Sequence, residues 1–338
     1  MDKATPGLRK LIPLLGALLA TSAVAQPADI PRLQAEAQRV TITRDDWGIA
    51  HVVGRSDADA VFGAIYAQAE DDFGRIEANY LTALGRTAEA EGEGAIWADV
   101  RQRLYVDPAD LQERYRSSPT WLRALMDAWA DGLNYYLATH PDVRPKVLTH
   151  FEPWMALSFT EGSIGGDIES ISLTELKGFY GGMFEPKTAL ETGREAREPR
   201  GSNGIAIAPE KTAGGHALLL INPHTSFYFR SELQMTSSQG LNAYGASTWG
   251  QFFIYQGFNP DIGWMHTSSG VDNIDEFAET VERQGGNLFY QYGRQYRPMT
   301  MVPITIRYRK PDGSLANFSL VTFRTQHGPI VAARGGKM

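Results

Sequence analysis

The hydrophobic residues follow helical spacing in the first half of the chain. They recur at every third or fourth position in segments 62–84 and 121–136, which predicts two amphipathic helices whose aromatic side chains form core packing. Segment 40–53 alternates around a short turn and predicts two strands. A further helix is predicted near 156–180, with an interruption at 165–166. The first half is therefore expected to be mainly helical.

The second half shows the patterns of strands. Segment 202–208 alternates, a glycine turn follows at 213–215, and segment 216–221 is strongly apolar, so the three predict a hairpin. Further strands are predicted at 252–255 and 302–305. Helices followed by strands favour an α+β fold over a regular parallel α/β fold.

The two halves are joined by a segment of different character, residues 185–201. It contains two prolines, mixed charge and one large aliphatic residue, so it cannot bury enough surface to order itself well. It is predicted to be an exposed linker and a natural site of proteolysis.

The N-terminus has the three parts of a secretory signal. Lys3, Arg9 and Lys10 precede the apolar segment 11–19, and the small-residue site 23–25 follows. No apolar run reaches the roughly 18 to 20 residues of a membrane-spanning helix. We expect residues 1–25 to be removed and the mature protein to be periplasmic, with no membrane partner.

Composition removes several classes of function. The chain has 32 basic and 39 acidic residues, a formal charge of −7, which argues against a nucleic-acid partner. It has no cysteine, which excludes disulfides, thiolate metal sites and a cysteine nucleophile. Common hydrolase and nucleotide-binding motifs such as Gly-x-Ser-x-Gly, His-Glu-x-x-His and Gly-x-Gly-x-x-Gly are absent from the sequence. No organic cofactor is therefore expected.

The junction between Gly201 and Ser202 carries the candidate chemistry. If the bond between them were cut, Ser202 would have a hydroxyl and a free α-amine on one residue. An α-amine has a pKa of about 7.7 to 8.0, so near neutral pH it can act as the base for its own hydroxyl. This arrangement needs neither histidine nor aspartate.

From about residue 40 to the end, the chain resembles the penicillin acylase family of N-terminal nucleophile hydrolases, in the branch of acyl-homoserine-lactone and lipopeptide acylases. Single motifs are weak, but their order and spacing together are strong. In the first half they are Arg44-Asp45-x-Trp47-Gly48-x-x-His51, Ala67-Gln68, Ala130-Asp131-Gly132-x-Asn134 and Glu152-Pro153-Trp154. In the second half they are Gly201-Ser202-Asn203, Asn222-Pro223-His224, Trp264-x-His266-Thr267 and His327-Gly328-Pro329.

The resemblance implies a precursor that cuts itself between Gly201 and Ser202. Residues 26–184 would be the first chain, 185–201 the released linker, and 202–338 the start of the second chain. The implied fold is a four-layer αββα sandwich. Because the family's second chain continues well past its His-Gly-Pro segment, we expect this sandwich to be incomplete here, with little activity from these residues alone.

The resemblance also assigns roles within the site. Ser202 would be the nucleophile for self-cleavage and for an N-acyl small-molecule substrate, through an acyl-enzyme. His224 matches the position where the backbone holds the serine amine and the ring lies beside it; penicillin G acylases have glutamine there. A backbone N–H at Ser268 would stabilise the oxyanion, at roughly 3 kcal/mol per donor. The family's second donor, an asparagine side chain, has no match in this sequence.

A structural calcium ion is also implied. Asp272, Ile274 and Asp275 offer two carboxylates around a backbone carbonyl, the hard oxygen ligands that calcium prefers. By resemblance, Asp167 would complete the site and tie the two chains together.

Two functions from different classes remain open. The first is an exported amide hydrolase acting on an acyl-homoserine lactone, a lipopeptide or a β-lactam side chain. The second is a non-catalytic or inactive truncated protein of the same fold that acts in binding. The carboxylates at 272–275 can equally be a solvated loop, and His224 a turn residue. His51 and His266 are expected to be structural.

Overall fold

The computed structural model describes residues 29–159, 168–182, 201–225, 229–267 and 275–338. It mixes helices with sheets, so the predicted α+β class is confirmed. The helices are α1 (Ile30–Ala37), α2 (Asp57–Ala83), α3 (Thr87–Glu91), α4 (Ile96–Arg103), α5 (Pro108–Ser117), α6 (Thr120–Thr139) and α7 (Leu173–Gly181). Short 3-10 helices lie at Glu93–Ala95, Pro153–Ser158, Ile168–Ser170 and Pro209–Lys211.

The strands form four separate sheets in the described residues. They are β1 (Val40–Arg44), β2 (Ala50–Gly54), β3 (Ser202–Ile207), β4 (Leu218–Pro223), β5 (Arg230–Ser237), β6 (Asn242–Thr248), β7 (Gln256–Phe258), β8 (Gly263–Trp264), β9 (Val281–Gln284), β10 (Asn287–Tyr292), β11 (Gln295–Pro298), β12 (Thr300–Arg309), β13 (Leu315–Thr325) and β14 (Gly328–Pro329). The orders are β1-β2-β5-β6-β7-β8, β11-β10-β9, β12-β13-β14 and β3-β4. Among these described strands, only β2 and β5 pair in parallel.

Helix α2 carries the largest share of the core. Its start is fixed by Ser56, whose hydroxyl accepts from the Asp59 N–H while the Asp59 carboxylate accepts from the Ser56 N–H. The apolar face that the spacing predicts is buried, including Phe62, Ile65 and Tyr80. The sequence pattern missed a break at Asp72 (φ −157°, ψ 72°), whose carboxylate caps the second half of the helix.

Helix α6 packs along α2 and completes an aromatic cluster. Gly132 allows a close approach, because a Cβ there would lie 2.7 Å from the Phe62 carbonyl oxygen. The Tyr80 and Trp129 rings lie 4.9 Å apart, and Phe151 meets the Trp129 ring edge to face. The prediction that these aromatic residues pack in the core is confirmed, except for Trp121, which is 66% exposed. Burial on α6 begins at Met126, so the first turn projects beyond the core.

The six-stranded sheet and its helices unite residues from both predicted chains. Leu33, Phe62 and Trp129 share one buried cluster with Leu233 and Met235, which lie beyond the predicted cleavage site. Helix α2 lies against strands β2 and β5 of this sheet, and α6 packs on α2. The described residues thus place a layer of two long helices against one face of a six-stranded sheet.

The turn formed by Trp249, Gly250 and Gln251 is held by side chains of the two long helices. The Gly250 carbonyl accepts hydrogen bonds from the Tyr80 hydroxyl at 3.0 Å and the Trp129 indole N–H at 2.8 Å. The side chain of Gln68 accepts from the Gly250 N–H and donates to the Gln251 carbonyl, both at 2.9 Å. Side chains of α2 and α6 therefore satisfy the Gly250 N–H and the carbonyls of Gly250 and Gln251 in this buried turn.

Two sequence predictions fail next to this turn and before the linker. Residues 252–255 form no strand, because the fixed turn directs the chain through a bend before β7 begins at Gln256. The helix predicted over 156–180 is a 3-10 helix at 153–158 and a separate α7. Helices α3 to α5 were not predicted, since their apolar positions are few.

A second core lies around strands β12 and β13. Ile304 and Ile306 pack with Val100 of α4 and Leu176 of α7. The Tyr180 hydroxyl donates to the Ile330 carbonyl at 2.8 Å, which ties α7 to the segment after β14. In the described residues, no helix is both long and apolar enough to cross a membrane.

Replacing Gln68 with Leu tests the turn contacts. The change leaves the buried Gly250 N–H without its acceptor and removes one donor from the Gln251 carbonyl. We expect the free energy of unfolding to fall by about 1 to 3 kcal/mol in urea denaturation. The matched control is Gln34→Leu on the exposed face of α1, expected to change stability by less than about 0.5 kcal/mol. Equal effects of the two changes would contradict the role of the turn.

Glu36 is a buried carboxyl whose pKa depends on folding. Burial, together with the neighbouring carboxylates of Asp131 and Asp59, raises its pKa to about 7 against the opposing effect of Arg39 and Arg32. The folded protein thus keeps a proton that the unfolded chain loses near pH 4.5. The stability that this proton contributes is present below about pH 4.5 and is lost as pH rises toward about 7.

The variant Glu36→Gln removes this titration. The stability of the wild type relative to the variant is expected to decline as the pH is raised from about 5 to about 8, because only the wild type must release the proton. Urea denaturation of both proteins at a series of pH values measures this difference. A difference that stays constant over the range would show that Glu36 titrates normally.

Candidate active site

The β3–β4 hairpin places the candidate nucleophile. Ser202 pairs with Pro223 and Asn203 with Asn222 in its antiparallel register, so Gly201 and His224 flank the last pair. The predicted hairpin is confirmed, and it brings together two predicted site residues that are 22 positions apart. A Cβ on Gly204 would lie 2.1 Å from the Met265 sulfur, so this glycine lets segment 265–267 run close to the hairpin.

The hydroxyl of Ser202 and the carbonyl before it share a donor. The serine Oγ donates to the Gly201 carbonyl oxygen at 2.7 Å and accepts from the His224 N–H at 3.2 Å. The same His224 N–H lies 3.2 Å from the Gly201 carbonyl oxygen. Both groups donate to the carbonyl of the bond predicted to be cut. If Oγ attacked the carbonyl carbon, the hydroxyl would lose its proton, and the His224 N–H would be the donor left to stabilise the negative oxygen.

The His224 ring is bound to asparagines rather than to the serine hydroxyl. Its Nε2 lies 3.2 Å from Asn203 Nδ2 and 3.1 Å from Asn222 Oδ1, and Asn203 Nδ2 donates to Asn222 Oδ1 at 3.1 Å. In the uncut chain, the backbone N–H of His224 therefore bonds the hydroxyl of Ser202, while the ring is oriented by two amides. His224 thus binds the serine hydroxyl through its backbone N–H, and its ring makes separate contacts with the two asparagines.

Thr267 and Gln256 were not predicted as part of the site. The Ser202 N–H donates to Thr267 Oγ1 at 2.9 Å, and Thr267 Oγ1 donates to the Ser202 carbonyl at 3.0 Å. The buried Gln256 side chain donates to the His266 carbonyl at 2.8 Å and fixes the chain just before the threonine. Thr267 was quoted within a motif, but nothing in the sequence shows that it reaches Ser202.

Other residues of the motifs make structural contacts. Asn134 donates to the Phe151 carbonyl at 2.8 Å and accepts from the Phe151 N–H at 2.9 Å, which anchors the loop after α6. His51 pairs with Asp45 at 3.2 Å, on the turn between β1 and β2. His266 packs its ring against Tyr255. These contacts fit the expectation that both histidines are structural.

Several predicted residues lie outside the described residues. They are Ser268, the calcium ligands Asp167, Asp272 and Ile274, the signal segment 1–25 and the linker up to residue 200. Asp275 is described and is exposed. Among the described residues, no group of three histidine, aspartate or glutamate side chains is arranged to hold a metal ion. The oxyanion donor at Ser268 and the calcium site stay predictions.

Fold and site together define an α+β protein that presents a serine at the first position of a strand, after a glycine carbonyl with two hydrogen-bond donors. The model of the penicillin amidase family matches residues 39–337. The chain belongs to the penicillin amidase family, as the motifs had suggested.

Individual relatives include bacterial acylases. The acyl-homoserine lactone acylase QuiP of Pseudomonas fluorescens is 27% identical over 88% of this chain and 42% of its own length. The acyl-homoserine lactone acylase PvdQ of Pseudomonas putida is 25% identical over 94% of this chain and 44% of its own length. The chain thus spans less than half the length of these relatives.

Among solved structures, the chain is similar to a thermostable penicillin G acylase from Alcaligenes faecalis. The two share 23% sequence identity at a TM-score of 0.33, and the match covers 35% of this chain and 68% of that one.

Proposed function

We propose that this protein is an exported, self-processing acylase that hydrolyses the amide bond of an N-acylated small molecule. The observation that carries the proposal is the hydrogen bond between the Ser202 hydroxyl and the Gly201 carbonyl, whose oxygen also accepts from the His224 N–H. Family membership supports hydrolysis of an N-acyl amide. The relatives named as acyl-homoserine lactone acylases favour an acyl-homoserine lactone as the substrate over a lipopeptide or a β-lactam. Export to the periplasm rests on the signal pattern of residues 1–25.

Self-cleavage requires Oγ to attack the carbonyl carbon of Gly201. The hydroxyl proton passes to water, the new C–O bond forms, and the His224 N–H donates to the oxygen that becomes negative. The C–N bond to Ser202 then breaks and its nitrogen takes up a proton. Water hydrolyses the resulting ester, which leaves Gly201 as a carboxylate and Ser202 as the first residue of a second chain.

Substrate hydrolysis then repeats the attack on another amide. The free α-amine of Ser202 accepts the hydroxyl proton as Oγ bonds to the acyl carbon, and it returns the proton to the departing amine. Water hydrolyses the acyl ester and releases the acid. Ser268 as an oxyanion donor and a calcium ion between the chains belong to this proposal, supported by the family resemblance alone.

Fragment analysis of the full-length gene product tests the proposal. The wild type, isolated from the periplasm, is expected to give two fragments, one of which begins at Ser202 by N-terminal sequencing. Ser202→Ala is expected to stay a single chain, because the attacking oxygen is gone. Hydrolysis of acyl-homoserine lactones, fatty-acyl amides and phenylacetyl amides follows on the cut protein. An uncut wild type would contradict self-processing, and a cut but inactive protein would favour the binding function.

The His224 N–H can be separated from the His224 ring by substitution. His224→Ala keeps the N–H that donates to the Gly201 carbonyl, whereas His224→Pro removes it. Loss of one oxyanion donor costs roughly 100-fold in rate or more, so we expect His224→Pro to stop cleavage and His224→Ala to retain it. The fraction of cut chain against time after synthesis measures both, with melting temperature as the control for folding. Equal cleavage of the two variants would exclude the backbone donor.

A further inference from the structure

The Thr267 hydroxyl bonds to both sides of Ser202 on the strand backbone. It accepts from the Ser202 N–H at 2.9 Å and donates to the Ser202 carbonyl at 3.0 Å. A hydroxyl has one proton, and Thr267 donates it to the Ser202 carbonyl. The lone pairs of the threonine oxygen therefore face the Ser202 nitrogen. Thr267 is therefore an acceptor for whatever N–H groups Ser202 carries.

The threonine is held in place independently of the serine. The chain before it is fixed by Gln256, which is 3% exposed and donates to the His266 carbonyl at 2.8 Å. Met265 lies over Gly204, where no Cβ keeps it away. Cleavage before Ser202 removes none of these contacts, so the Thr267 oxygen stays beside the serine nitrogen when the amide becomes an amine.

We propose that Thr267 is a positioning residue that orients the α-amine of Ser202 as the base for its own hydroxyl, an inference that rests on the proposed function. A free amine can rotate about its bond to Cα, and its lone pair then points away from Oγ for part of the time. One N–H held by Thr267 restricts this rotation. The lone pair of the amine then faces Oγ and accepts the hydroxyl proton while the bond between Oγ and the acyl carbon forms.

The same bond affects the charge of the amine. An ammonium group donates a stronger hydrogen bond than a neutral amine, so an acceptor at Thr267 favours the charged form and raises the pKa of the amine. Removing the hydroxyl therefore has two separate effects. Turnover falls because the amine is less well oriented, and the amine loses its proton at lower pH.

The test compares Thr267→Val, which keeps the shape but loses the hydroxyl, with Thr267→Ser, which keeps the hydroxyl, in the full-length protein. On the cut fraction, Thr267→Val is expected to lower kcat about tenfold or more with KM within about twofold. The acid limb of its pH profile is expected to move down by about 0.5 to 1 unit. Thr267→Ser is expected to restore the wild-type acid limb and most of kcat.

A second measurement needs no substrate. Carbamylation of the Ser202 amine by cyanate, followed by mass spectrometry across a pH series, reports the pKa of the amine directly. It is expected to be lower in Thr267→Val, and also in Thr267→Ala if the valine variant folds poorly. The matched control is Thr305→Val, which removes a threonine hydroxyl from the exposed face of β12 and is expected to change neither measurement.

The outcomes separate the inference from the proposed function. If the wild type is never cut before Ser202, no α-amine exists and both ideas fail. If it is cut and hydrolyses an acyl substrate, but Thr267→Val keeps the wild-type kcat and amine pKa, only the role of Thr267 is overturned. The same follows if Thr267→Ser is impaired as strongly as Thr267→Val, because the effect is then one of packing.

Discussion

The hydrogen bonds on the Gly250 turn fix the rest of the structure. A buried carbonyl with both acceptor positions filled by Tyr80 and Trp129, and a buried N–H bound by Gln68, cannot move without leaving polar groups unpaired. Each such loss costs about 1 to 3 kcal/mol, a large part of the stability of an ordinary domain. The turn therefore has one position relative to α2 and α6. Strands β6 and β7, on either side of it, inherit that position, and so does the six-stranded sheet.

The position of the serine follows from this turn through a short series of contacts. Five residues after the turn, Gln256 begins β7, and its side chain donates to the His266 carbonyl. Thr267, which follows His266, binds both the N–H and the carbonyl of Ser202. No side chain of α2 or α6 needs to touch the serine for these helices to determine where it lies. This explains why a motif such as Ala67-Gln68, which lies far from the serine, accompanies it in the sequence.

Periodicity predicted the elements whose conformation is decided locally or by one buried face. Helices α2 and α6, the β1–β2 pair and the β3–β4 hairpin belong to this group. The break at Asp72 depends on one side chain capping a helix, and the bend at 252–255 depends on contacts with residues about 180 positions away. An apolar run cannot reveal either. Ser202 and His224 could be proposed from motifs that lie at their own positions. The role of Thr267 appears only when segment 265–267 is seen beside the β3–β4 hairpin.

In the proposed function, one arrangement of backbone and threonine serves two different reactions. Before cleavage the Ser202 nitrogen is an amide and cannot act as a base, so the attack must rely on a carbonyl polarised by the His224 N–H. After cleavage that carbonyl departs with the linker, and the His224 N–H keeps only the Ser202 hydroxyl as its acceptor. The nitrogen gains a lone pair while Thr267 still binds it. Cleavage thus supplies the base that the second reaction needs, and the His224 N–H stays beside the nucleophile, without requiring either strand of the hairpin to move.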